Sequence, residues 1–223
     1  MKYYLTLIVL FLCFNAYSSS NDENTLKTPI SEWSDSSLVL SVGHYDIVQD
    51  FLYVKVINLD IDNSYFHYLN KYLVRNGKGG SSFSTDMSLA LDSQCVNNYG
   101  SKTPHSNYTL KNELTSYKEN VADYTKYGNS ISFNVLKSFC DEYIGEKIAV
   151  DDLSILSIVA SIYSFHISQK HREYMLSDGF NMYGIHHNIN HILIRKTDKG
   201  DDYNIVTWSY TCMLITKDYQ WHK

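Results

Sequence analysis

Apolar and polar residues begin to alternate at Ser37, and the period of that pattern changes several times before the chain ends. Leu38, Leu40 and Val42 alternate with Val39 and Ser41, and residues 51–59 alternate again. This predicts two strands, joined through 43–50 as an antiparallel pair. Asp62, Asn63 and Ser64 offer caps for a short aromatic helix over 65–74, and the glycine-rich stretch 76–82 reads as a flexible breaker. Ser84 or Thr85 can cap a second helix, in which Met87, Leu91 and Cys95 share one face. Residues 98–129 show no clear period. A further helix over 132–143 carries Phe133, Leu136, Phe139 and Cys140 on one side.

The strongest periodicity lies in 152–175. Ser154, Ser157, Ser161, Ser164 and Ser168 recur at helical spacing among residues that are otherwise almost all apolar. Such a helix is buried around most of its circumference, and its serine row is either a narrow wet edge or a close packing face. Packing is the favoured reading, because small side chains let another backbone approach. The chain closes with a β-hairpin: Ile192 and Ile194 lead into a turn at 198–201, and 203–216 returns. Val206, Trp208, Tyr210, Cys212 and Leu214 share one face of the return arm, and that face is expected to rest on the serine-bearing helix. The fold class is therefore α+β: one domain over 37–223 with antiparallel strands at both ends and a helical middle.

Residues 1–18 look like a secretory signal. Lys2 precedes a ten-residue apolar stretch from Leu5 to Phe14, and Ala16 and Ser18 are small residues before a plausible cut. The stretch is about half the roughly 20 residues that a spanning helix needs, so no membrane span is expected once the signal is removed. Residues 19–36 are polar and read as a flexible lead-in. The expected location is secreted or periplasmic. Cys95, Cys140 and Cys212 would survive cleavage, and in an oxidising compartment one disulfide and one leftover thiol are expected, with three pairings open. Asn107-Tyr108-Thr109 matches a glycosylation sequon, which matters only in a eukaryotic secretory route.

A formal net charge of -5 and a pI near 5.9 lack the basic footprint of a nucleic-acid binder, and none is expected as a partner. No GxSxG, CxxC, GxGxxG or HExxH occurs, and no cofactor is expected. Histidine is the residue type to weigh. His166 ends an apolar helix face, where it is either a hydrogen-bonded core histidine or a general base with a burial-lowered pKa. His187 and His191 could chelate one metal from a helix; in a strand they stand ~13 Å apart, at about 3.3 Å rise per residue. Acidic neighbours Asp141 and Glu142 argue against Cys140 as a nucleophile.

The 20 tyrosines are the more telling feature. Tyr108, Tyr117, Tyr124 and Tyr127 lie in polar surroundings that a core does not use, and they are the candidate binding residues. Bias toward AT-rich codons would produce the same enrichment. The resulting expectation is an exported, non-enzymatic protein that binds another protein, as an inhibitor or toxin-neutralising factor. The alternative is a secreted hydrolase using the histidines, with or without zinc.

Overall fold

The computed structural model describes residues 40–42, 45–47, 51–54, 61–95, 116–150, 152–197 and 202–217. Two long strands form its spine: β7 (Met182–Lys196) and β8 (Tyr203–Thr216), paired antiparallel along their whole length. Shorter strands extend the sheet on both sides. On the β8 side, β5 (Tyr117–Asp123) and β6 (Asn129–Ser132) pair with successive parts of β8. On the β7 side, β4 (Ser82–Phe83) runs parallel to its start and β3 (Phe51–Val54) antiparallel to its end. Strands β1 (Leu40–Val42) and β2 (Tyr45–Ile47) form a separate two-stranded ladder. The expected pairing of 38–42 with 51–59 is therefore replaced: β1 finds β2, and β3 docks on the hairpin, which offers a far longer edge.

Among the described residues, five helices accompany the sheet: α1 (Ile61–Arg75), α2 (Thr85–Cys95), α3 (Phe133–Phe139), α4 (Leu153–Ile167) and α5 (Gln169–Met175). A π-helical turn, Cys140–Ile144, extends α3. The caps expected at 62–64 are not caps, because α1 already begins at Ile61 and the Asp62 carboxylate accepts from the His187 N–H instead. The cap expected at Ser84 is in place, and Ser132 supplies another. Ser84 Oγ accepts from the Met87 N–H at 3.3 Å, and Ser132 Oγ from that of Val135 at 3.4 Å. The expected helix over 152–175 is two helices, because Ser168 is extended (φ -85°, ψ 110°) and re-aims the chain.

Helix α4 does rest on the hairpin, but on the face opposite to the expected one. The main core joins Leu156, Val159, Ala160 and Ile162 of α4 to Ile205, Met213 and Ile215 of β8. The other face, with Tyr210, Cys212 and Leu214, is covered by Met87 and Leu91 of α2. The serine row fits this choice. Hydroxyls removed from water need polar partners, and on this face Thr211 and His187 supply them.

Between β4 and β3, no strand among the described residues pairs with this edge of β7, and side chains reach its backbone instead. The Ile185 N–H donates to Ser88 Oγ at 2.9 Å, and the His187 N–H to Asp62 Oδ1 at 2.8 Å. These bonds pin α2 and α1 to the spine. The glycine-rich breaker is also anchored. Lys78 Nζ donates to the carbonyls of Met175, Ser177 and Phe180 at 2.8, 2.8 and 2.7 Å and lies 5.3 Å from the Tyr183 ring centre. Burial pulls its pKa down to about 8, against the opposing charge of Asp178.

Gly184 lets α2 approach, since a Cβ there would stand 2.4 Å from Met87 Cβ. Gly184→Ala is expected to cost ~1–3 kcal/mol in a denaturant melt, the usual penalty for overpacking. Gly79→Ala, where an added Cβ meets nothing within 4 Å, should stay within ~0.5 kcal/mol of the parent.

Candidate functional site

The α4 serines and the hairpin build the most concentrated polar arrangement in the described structure. Tyr65 OH bonds Ser161 Oγ at 2.9 Å, Ser161 Oγ bonds Thr211 Oγ1 at 2.8 Å, and Thr211 Oγ1 bonds His187 Nδ1 at 2.7 Å. His187 Nε2 then meets Ser157 Oγ at 3.1 Å. One turn further along α4, Ser164 Oγ donates to the Ala160 carbonyl and accepts from Asn129 Nδ2, both at 2.8 Å. The serine row is thus a buried packing face with its hydroxyls paired across the seam.

The chain is assigned the direction in which each proton along it meets the next oxygen or nitrogen. In that assignment Tyr65 donates to Ser161, Ser161 to Thr211 and Thr211 to Nδ1, while His187 carries its proton on Nε2 and donates to Ser157, whose own O–H can turn to the carbonyl one turn back. Burial holds the tyrosine as a phenol and raises its pKa. Desolvation, with nearby His186 adding to it, pulls the His187 pKa down to about 3.

A serine bonded to a histidine invites comparison with a hydrolase, but this pair has the wrong polarity and no access. Ser157 accepts from the imidazole instead of giving up its proton. Ser157, His187 and Thr211 are all 1% exposed or less, so no substrate reaches them. The arrangement organises the core.

His166 lies at the other end of α4, about 13 Å along the axis from Ser157 at 1.5 Å per residue. Its Nδ1 bonds Tyr72 OH at 3.0 Å, and its ring is 4.4 Å from Tyr143, 5.2 Å from Phe139 and 5.8 Å from Tyr72. Burial and then the Arg172 charge lower its pKa, with Glu142 opposing. The Tyr72 phenol, pushed up to about 12 mainly by burial, stays protonated and shares one hydrogen bond with Nδ1. His166 is thus a half-buried imidazole in an aromatic surround, and among the described residues no carboxylate is hydrogen-bonded to its ring.

The metal candidates separate. His187 pairs with Thr211 across the hairpin, but a bulge between Ile189 and His191 sets His191 opposite Trp208. Thr211 and Trp208 occupy opposite faces of β8, so the two histidine positions belong to opposite sides of the sheet. Among the described residues, no group of three or more His, Cys, Asp or Glu could hold a metal ion.

The tyrosines diverge too. Tyr127 is 80% exposed and Tyr117 is 37% exposed, whereas Tyr124 packs against the main core. Tyr108 lies outside the described residues. Cys140 is a free, buried thiol, its pKa pushed up to about 12 by burial, Asp141 and Glu146. That removes two of the three disulfide pairings considered above.

The buried imidazole makes stability depend on pH. Its folded-state pKa lies below the ordinary 6.5, so the unfolded chain takes up the proton first as pH falls. Stability is unaffected by this group above about pH 6.5 and falls by up to ~1.4 kcal/mol per pH unit between there and about pH 3. His187→Asn should remove that slope from melts run across the window. Ser161→Ala, which leaves the buried Tyr65 hydroxyl without its partner and removes one of the two bonds of Thr211, should cost ~1–3 kcal/mol at neutral pH.

Comparison with known proteins finds no matching family model, no matching curated protein and no matching solved structure.

Proposed function

We propose that this protein is exported and acts by binding another protein, not by catalysis. The observation that carries the reading is the presentation of Tyr127. It sits in the turn between β5 and β6, and that turn is tied down on several sides. Asp123 Oδ1 accepts from the Thr125 N–H at 3.0 Å and from its hydroxyl at 2.5 Å, and the Gly128 N–H donates to the Tyr124 carbonyl at 2.9 Å. Gly128 closes the turn at φ +68°, where any Cβ would press on Trp208 and Val206.

A large ring held outward by an ordered turn gives contact area at small entropic cost, which is what recognition surfaces use. The pairing of the buried His187 with core hydroxyls supports the same reading, since no substrate reaches it there. Export rests on the sequence pattern of residues 1–18, which lie outside the described residues. No helix among the described residues is long and apolar enough to cross a membrane.

Two measurements test this. Protein recovered from the producing cells should begin at Ser19, and an intact N-terminus at Met1 contradicts export by a cleaved signal. Tagged mature protein should capture one stoichiometric partner from its native extracellular or envelope fraction. Tyr127→Ala should lower that capture ~10-fold or more, the cost of an interface anchor, while its melt stays within ~0.5 kcal/mol of the parent. Equal capture by the variant removes Tyr127 from the interface.

A further inference from the structure

Three lysines from separate parts of the chain meet on two aromatic rings. Lys170 and Tyr174 belong to α5, Lys118 to β5, Phe180 to the turn before β7, and Lys217 follows β8. Lys170 Nζ is 5.7 Å from the Tyr174 ring centre, and Lys118 Nζ is 5.1 Å from Tyr174 and 5.3 Å from Phe180. Lys217 Nζ is 5.3 Å from Phe180. Charge and ring alternate in one row, with neighbouring ammonium groups within about 11 Å of each other across a shared ring.

The row is fixed from below. Lys78 holds the carbonyls of Met175, Ser177 and Phe180, which sets the turn that carries the Phe180 ring. Asn120 Nδ2 donates to the His171 carbonyl at 3.0 Å, which ties α5 to β5. Among the described residues, none of the three ammonium groups has a carboxylate at ion-pairing distance. Glu173, on the same helix, accepts from Gln169 instead. By contrast, Lys71 is paired with Glu146.

We propose that this row is the docking surface for an acidic polypeptide segment, bound through carboxylates about three residues apart. It deepens the binding reading above by naming the chemistry of the partner. Three like charges gathered on an otherwise acidic protein are relieved by an anionic partner, and the row, at most ~21 Å from end to end, is spanned by six or seven residues of extended chain at about 3.3 Å per residue. In such a chain, side chains three apart stand ~10 Å from each other, inside the ~11 Å limit on the lysine spacing. A nucleic acid fits less well. The ring faces are already occupied by ammonium groups, which leaves no platform for stacked bases. The formal net charge of -5 repels a long polyanion that overhangs the row.

Fluorescence anisotropy with three labelled probes tests the proposal: a decapeptide with glutamate at every third position, its glutamine counterpart, and a ten-nucleotide oligothymidylate. The glutamate peptide should bind at least ~10-fold tighter than the other two and weaken as salt rises from 0.02 to 0.15 M, as screened charge contacts do. The triple variant Lys118→Gln, Lys170→Gln, Lys217→Gln should lose ~10-fold or more of that affinity with an unchanged melting midpoint. Should the triple variant melt early, the double variant Lys170→Gln, Lys217→Gln, at two exposed positions, should still lose several-fold. Equal binding of the two peptides, tighter binding of the oligonucleotide, or full affinity in the folded variants each overturns the proposal. Capture of a natural partner by parent and triple variant alike would sink the lysine row and leave the binding reading standing. Absence of both peptide binding and capture would sink both.

Discussion

The structure depends on where the hydroxyls of α4 can be buried. A helix apolar on nearly every side could lie on either face of a twisted sheet. Ser157 and Ser161 remove that freedom, because a hydroxyl sealed away from water without a partner costs free energy that packing alone does not return. Thr211 and His187, neighbours across the β7–β8 hairpin, provide those partners. Tyr65 continues the chain into α1, so one line of hydrogen bonds fixes two helices and the sheet. Specificity of this kind is a recognised use of polar groups in a core, and here it selects a face.

The same logic governs the sheet's incomplete edge. β7 is longer than β3 and β4 together can cover, and its exposed donors are met by Ser88 and Asp62 from the helices above and below. Lys78 does the reverse, supplying donors to three carbonyls at and just after the end of α5. Side chains from α1, α2 and the turn after α1 thus complete backbone hydrogen bonding that strand pairing leaves open. The consequence for function is rigidity beneath the surface: the turns that carry Phe180 and Tyr127 are both held by named bonds.

Much of this was readable in the chain. The hairpin pairing, the cap at Ser84 and the helical period of the serine row follow from spacing, and each is present, whereas the expected caps at 62–64 fall inside a helix that begins at Ile61. The face of β8 was misread because apolar area was weighed above polar demand. A row of serines required a row of partners, and the alternating Thr207, Ser209 and Thr211 of β8 were that signal. The bulge at Ile189/His191 was not legible, since nothing in 186–191 marks an extra residue, and it alone moves His191 to the other side of the sheet. The role of Lys78 was hidden for a different reason: glycine neighbours describe local freedom, whereas its three carbonyl partners lie about a hundred residues away.

Functionally, the histidines and the surface groups exchange importance. His187, which resembled a catalytic candidate, belongs to the core's hydrogen bonding, and the proposed recognition would fall to the exposed Tyr127 and to the lysines set against aromatic rings. This division stands or falls with the protonation of His187. The most direct measurement is the nitrogen-15 NMR spectrum of its ring, recorded on the folded protein from pH 7.5 down to pH 4.5. The account predicts one neutral tautomer throughout, with Nδ1 unprotonated and Nε2 bearing the proton. A ring that titrates near its ordinary pKa in the folded state, or that carries its proton on Nδ1, would contradict it.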